Sequence, residues 1–217
     1  MDSAPLHIAD IRTDYKLAAL DEETAGDDPL AFFKKWFTDA GTAQITELNA
    51  MVLSTVDADY RPHARIVLLK GLDDKGFAFF TNYNSSKGHE IMANPHGALT
   101  FFWKELERQV RIEGIIEKVT PAESDTYFQS RPVGSRIGAW ASPQSKIIAG
   151  RDILESNYAR YEKEFSGTAI PRPEHWGGYR VVAQQIEFWQ GRASRMHDRI
   201  LFTAAPGNTW HKSRLAP

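Results

Sequence analysis

From residue 50 onward the chain breaks into short runs of alternating apolar residues, divided by turn residues and interrupted at irregular intervals by helical stretches. That pattern limits the fold more than any other feature. Residues 51–56 read as a strand, Asp57-Ala58-Asp59 as a turn, and 61–70 as a second strand in which Ala64, Ile66 and Leu68 oppose Arg65, Val67 and Leu69. Residues 72–76 read as a hairpin loop before a strand over 77–82. Further strands are expected at 98–103, 107–119, 178–189, 198–203 and 208–212. Helices are expected at 86–93, 121–130 and 151–165. An earlier helix is marked by Asp28 as N-cap, Pro29 in its first turn, and Leu30, Phe33, Trp36 and Phe37 at helical spacing. Because strands and helices do not alternate regularly, the pattern argues against a doubly wound parallel sheet. It favours a mainly β fold with peripheral helices, a Greek-key or split barrel. Residues 1–27, polar and ending in Asp-Glu-Glu-Thr-Ala-Gly-Asp, read as a mobile arm, with 28–217 as one domain.

Composition removes several function classes. A formal charge of −2 over 217 residues argues against bulk binding to nucleic acid or an anionic membrane, so any anion site must be a local cluster. No apolar run approaches the length of a membrane span, and the first residues carry no basic or apolar leader pattern. Without cysteine there is no thiolate metal site and no cysteine nucleophile, and the cytoplasm is the expected compartment. His63, His89, His96, His175, His197 and His211 are dispersed, so no metal is expected. No Gly-x-Ser-x-Gly elbow supports a serine hydrolase, and no glycine-rich turn opens a helix in dinucleotide or P-loop fashion.

Four clusters suit a phosphate. Arg65 and Lys70 bracket an apolar strand with a fork and a point charge. Residues 81–87 lead polar groups and Lys87 into a helix N-terminus, where free N–H groups attract anions. Tyr127, Arg131 and Ser135 offer a phenol, a guanidinium and a hydroxyl near a helix end. Gln144 and Ser145 are neutral donors of the kind that complete a cation-centred cage. Farther on, Trp189 is followed by Arg195, His197 and Arg199 at alternating positions. If 195–199 are extended, these three share one face and suit a flat anionic heteroaromatic ligand.

In combination these residues resemble a known family. RIVLLK at 65–70, FFTN at 79–82, ERQV at 107–110, SRP at 130–132 and IGAWASPQS at 137–145 fit it in order and spacing. So do FWQG at 188–191, RMHDR at 195–199 and RLAP at 214–217. The resemblance, from about residue 28 to the end, is to the pyridoxamine/pyridoxine 5'-phosphate oxidases. It implies a homodimeric, FMN-binding split barrel with active sites at the subunit interface. The reaction it implies is the oxidation of pyridoxamine or pyridoxine 5'-phosphate by O2 to pyridoxal 5'-phosphate, with hydrogen peroxide and, from the amine, ammonia.

Carried over by position, the resemblance implies that Arg65, Lys87, Gln144 and Ser145 hold the FMN phosphate. Ile66 to Lys70 (Ile66, Val67, Leu68, Leu69, Lys70), with Phe80 and Thr81, would line the flavin. Gln109, Trp189 and Arg199 would reach it from the partner chain. Lys70, Tyr127, Arg131 and Ser135 match the substrate-phosphate cage, and Arg195 and His197 match the catalytic pair that covers the pyridine ring. Arg12 and Tyr15 resemble a segment that folds over the occupied site. One departure stands among the cofactor residues: Ser86 occupies a position where the family commonly has arginine, so one phosphate cation is missing.

Overall fold

A computed structural model describes residues 7–11 and 13–217. In chain order its α-helices are α1 (Glu22–Ala25), α2 (Pro29–Thr42), α3 (Ser86–Ala93), α4 (Pro121–Ser130), α5 (Val133–Ala141) and α6 (Arg151–Glu164). The strands are β1 (Ala50–Val56), β2 (Pro62–Leu68), β3 (Gly71–Asp73), β4 (Gly76–Asn82), β5 (His96–Trp103) and β6 (Arg108–Lys118), then β7 (Trp176–Gln190), β8 (Asp198–Ala205) and β9 (Thr209–Arg214). Along the sheet the order is β2-β1-β5-β6-β7-β4-β3, with β8 paired to β7 and β9 to β8. The pairings β1–β2, β1–β5, β3–β4, β4–β7 and β8–β9 are antiparallel, some joining consecutive strands and others, such as β4–β7, strands far apart in the chain.

These elements fall into two compact units. The first holds the residues up to Leu48, Phe102–Val110 and Ile186–Pro217; the second holds Asn49–Phe101 and Arg111–Gln185. In the first, Asp28 caps α2 by accepting from the Leu30 and Ala31 amides, and α2 buries Phe32, Phe33 and Trp36. Phe32 and Trp36 meet Phe188 edge-on, with ring centroids 4.7 and 5.3 Å apart. Residues 17–27, read from sequence as standing off the core, are tied into this unit. The Leu17 and Leu20 amides donate to Glu107 and Asp198, Lys212 donates to the Glu22 and Gly26 carbonyls, and Leu20 and Ala25 are buried.

In the second unit, helix boundaries follow their caps. Ser85 caps α3 by accepting from the Gly88 amide, and Thr120 with Glu123 forms a reciprocal capping box on α4 behind Pro121. Gly88 is required there, since a Cβ would run into the Tyr83 carbonyl. The buried Arg180 on β7 holds the start of α4, donating to Glu123 at 2.7 Å and to Asp73 at 3.0 Å. Two expectations change here. The stretch read as a hairpin loop overlaps the short strand β3, and the region after Arg131 forms α5, which buries Ile137, Ala139 and Ala141.

Candidate functional site

The second unit contains a cleft of about 650 Å³. Residues from β2, β4, α3, α4 and α5 converge on it. Strand β2 and the residue turn after it supply Arg65, Ile66, Val67, Leu68 and Lys70; β4 supplies Phe80 and Thr81; α3 supplies Lys87. Helix α4 brings Tyr127 and its C-cap residue Arg131, α5 brings Ser135, and the loop beyond brings Gln144. All four phosphate-type clusters seen in the sequence therefore contribute to one cavity.

One end is cationic and hydrogen-bonded. Lys87 Nζ lies 3.3 Å from Thr81 Oγ1, 3.4 Å from Ser85 Oγ and 3.5 Å from Gln144 Oε1. Burial, helped by the Arg65 charge, pushes the Lys87 ammonium below the usual lysine range, while Glu90 pulls the other way. Arg65 is anchored from behind. Its Nη1 donates to the Leu53 carbonyl and to Thr55 Oγ1, and its Nη2 donates to Glu90 at 2.7 Å.

The other end is aromatic around a single guanidinium. Phe80 stacks on Tyr127 with centroids 3.9 Å apart and lies nearly parallel to Trp176 at 5.7 Å. Arg131 sits over the Trp176 ring at 4.5 Å. Its Nη1 is buried without a hydrogen-bond partner, and burial drives its pKa down from the ordinary arginine value. Burial raises the Tyr127 phenol, with the Arg131 charge opposing that shift. An unpartnered buried guanidinium N–H is costly in a ligand-free protein and marks a place where an anion belongs.

Not every candidate faces this cleft. Leu69 turns into the core, its amide donating to the Asn49 carbonyl, because β2 ends at Leu68 and breaks the alternation read from sequence. Ser86, the first residue of α3, and Ser145, with φ of 67°, are exposed and stand outside the cleft lining, whereas Ser142 is part of it. Arg12 lies outside the described residues.

The first unit gathers the remaining candidates. Residues 195–199 are not extended: Ala193–Arg195 forms a 3-10 turn with Ser194 and Arg195 at φ of 56° and 61°, and β8 begins only at Asp198. That left-handed pair breaks the period-2 geometry expected to put Arg195, His197 and Arg199 on one face. Arg195 is exposed. His197 packs 4.6 Å from Trp189, and Tyr15 meets both rings edge-on. Gly191 makes room for this, since a Cβ there would press on the Tyr15 ring at 2.7 Å. The Arg192 amide donates to His197 Nδ1 at 3.1 Å. With Nδ1 taken up as an acceptor, Nε2 is the ring nitrogen left to make a further hydrogen bond. Arg199 grips Glu187 with two donors, at 2.8 and 3.1 Å, and that pairing raises its pKa. Its Nη1 donates to the Ala216 carbonyl. Gln109 is half-buried on β6.

Sequence reasoning missed Thr55, Glu90 and Trp176 as parts of the cleft's support, and Glu187 as the partner of Arg199. All four act across long sequence separations, and none carries a local motif. The described residues include no helix long and apolar enough to cross a membrane and no group of three or more histidine or acidic side chains placed to hold a metal ion.

A mainly β chain whose cleft sets cations beside stacked rings has the shape and charge to suit a flat anionic ligand. Comparison with known proteins narrows the class. Residues 37–164 match the family model described as pyridoxamine 5'-phosphate oxidase, and 176–217 match that of the pyridoxine 5'-phosphate oxidase C-terminal dimerisation region. The pyridoxine/pyridoxamine 5'-phosphate oxidase of Cupriavidus necator is 57% identical over 97% of this chain and 99% of its own length. That of Synechocystis is 53% identical over 97% and 98%. Among solved structures, PhzG from Burkholderia lata in complex with tetrahydrophenazine-1-carboxylic acid superposes with a TM-score of 0.86 at 28% identity, covering 93% of this chain and 99% of that one. A pyridoxamine 5'-phosphate oxidase-related, FMN binding protein from Nostoc punctiforme shares the fold, with a TM-score of 0.70 at 15% identity over 88% and 100%. The chain belongs to the pyridoxine/pyridoxamine 5'-phosphate oxidase family, an oxidoreductase family with the split-barrel fold.

Proposed function

We propose that this chain oxidises pyridoxamine 5'-phosphate and pyridoxine 5'-phosphate with O2, using FMN, and so makes pyridoxal 5'-phosphate for vitamin B6 synthesis and salvage. The observation that carries the reading is the convergence of Lys70, Tyr127, Arg131 and Ser135 on one cleft, with a buried Arg131 N–H that no protein group satisfies. A second, separate cationic end at Arg65, Lys87, Thr81 and Gln144 fits a second phosphate. Two phosphate sites beside one aromatic wall suit a phosphorylated cofactor and a phosphorylated substrate together.

Bound FMN would supply the two-electron acceptor, and its reoxidation by O2 would yield hydrogen peroxide, while ammonia comes from hydrolysis by water of the imine left when the amine is oxidised. The chain's own residues hold and orient. Lys87 and Arg65 bind the cofactor phosphate, and Ile66 to Leu68 with Phe80 exclude water from the ring face. Arg131, backed by Trp176, fixes the substrate phosphate, and such fixing of the reacting carbon is worth several kcal/mol. By resemblance, Gln109, Trp189, Arg199, Arg195 and His197 reach the site from a second copy of the chain, so the active form is a homodimer. His197, oriented by the Arg192 amide at Nδ1, binds a ring oxygen through Nε2, a positioning role that hydride departure needs before it needs a base. Glu187 keeps Arg199 fixed where negative charge develops.

A second reading has one observation in its favour, the superposition on PhzG bound to a tricyclic carboxylic acid. A carboxylate could satisfy Arg131, but it leaves Lys70, Tyr127 and Ser135 with less to bind than a phosphate does. Oxygen-dependent peroxide release with pyridoxine 5'-phosphate, compared with a reduced phenazine carboxylate, tests the proposal. Release with the first and not the second is expected; the reverse would overturn it.

A further inference from the structure

Three elements of the second unit close on Arg65. Thr55 on β1 donates from Oγ1 to Glu90 Oε2 on α3 at 2.5 Å, and Arg65 on β2 donates to both. The Leu53 carbonyl, in register opposite Arg65, accepts as well. The Glu90 side chain is only 9% exposed, and the Arg65 side chain 21%. Burying a carboxyl beside an anion site is costly, because its charge opposes the ligand. It has a compensating effect here. Arg65 and Lys87 repel each other across the cleft, and Glu90 offsets that repulsion. An arginine side chain also loses considerable rotamer freedom when it binds. Acceptors on the neighbouring strand β1 and on helix α3 remove that freedom before any ligand arrives.

We infer that Glu90, completed by Thr55, is a positioning residue that fixes Arg65 for the phosphate of FMN without touching the cofactor itself. The inference rests on the proposed FMN site. It separates from a merely structural role because riboflavin has the same ring system as FMN and no phosphate. A residue acting through Arg65 affects FMN alone; a residue that only supports α3 affects both.

The test is titration of the flavin-free full-length protein with FMN and with riboflavin, followed by quenching of flavin fluorescence. Glu90→Ala is expected to weaken FMN about 10-fold or more, with riboflavin changed by less than about 2-fold. Glu90→Gln, which keeps an oxygen to accept from Thr55 and Arg65, is expected to recover most of that loss. In an Arg65→Ala background, Glu90→Ala should add no further loss. Thr55→Val, which removes only the hydroxyl, should give a smaller FMN-selective loss of about 3-fold and serves if Glu90→Ala does not fold. Equal losses for both flavins, no loss for FMN, or full additivity with Arg65→Ala would overturn the inference while leaving the FMN reading intact. A wild-type protein that binds neither flavin would instead sink the FMN reading, and this inference with it.

Discussion

Two arginines, one in each unit, are held in opposite ways. In the first, Arg199 is clasped by Glu187, and Arg214 is shared between Glu22 and Asp198. In the second, the half-buried Arg131 lies over Trp176, and its Nη1 is buried with no partner. Charges neutralised within the chain contribute to its fold. A charge left bare at the bottom of a cleft costs stability and is kept for something that arrives later. The same residue type therefore has different consequences when removed, and the comparison can be broken by experiment.

The largest effect should come from the first unit. Arg199→Ala leaves the nearly buried Glu187 without its bidentate partner. A loss of about 3 kcal/mol is expected, at the low end for a buried pair because the guanidinium is partly in water. Urea unfolding of the flavin-free protein measures it, and a loss under about 1 kcal/mol would mean the pair is not structural.

Arg131→Ala should behave in the opposite sense. The melting temperature of the ligand-free protein should hold or rise, since an unsatisfied buried group disappears. The apparent Michaelis constant for the phosphorylated substrate should rise by about 10- to 100-fold, equivalent to roughly 1.5–3 kcal/mol, with FMN retained. Parallel loss of flavin would show that the two ends of the cleft are not separate sites.

Ser86→Arg adds a cation at the exposed first turn of α3, next to the cleft end that holds Lys87. Attraction to a phosphate near −2 must exceed repulsion from Lys87 and from the helix N-terminus. A gain of about 1 kcal/mol in FMN affinity is expected, fading at high salt, with the single-turnover rate of flavin reduction unchanged. A level or weaker affinity would mean that Ser86 is not a missing contact.

The smallest effect concerns pH. Burial holds the Lys87 ammonium below its ordinary value, so the unfolded chain carries more protons between the lowered folded value and about 10.4. Ligand-free stability attributable to Lys87 therefore rises with pH through that window, whereas phosphate binding, which needs the ammonium, weakens. FMN titrations on the alkaline side should show this decline in the wild type and a flatter, weaker profile in Lys87→Met. Matching slopes would assign the titration to another group.

What could be read in advance follows from how local each signal is. Helices α3 and α4 start and stop where Ser85, Pro121 and the capping box put them, because caps are written in adjacent residues. Helix α5 was missed because nine residues containing Gly134 and Gly138 give a weak periodic signal. The condition that 195–199 be extended fails at its start, because left-handed Ser194 and Arg195 are not residues that announce a positive φ. In the site, Arg65, Lys87, Tyr127 and Arg131 were legible as phosphate-type groups. Glu90, Thr55 and Trp176 were not, since their roles exist only after β1, β2, α3 and β7 come together.

The difference between these two arginines is tested most directly by one ratio. It is the turnover efficiency for pyridoxine 5'-phosphate over that for unphosphorylated pyridoxine, measured by peroxide release in the wild type and in Arg131→Ala. A guanidinium held bare for a phosphate predicts a large ratio in the wild type that falls by about 10-fold or more in the variant, through loss of the phosphorylated substrate alone. A ratio that is near unity in the wild type, or unchanged by the substitution, would contradict it.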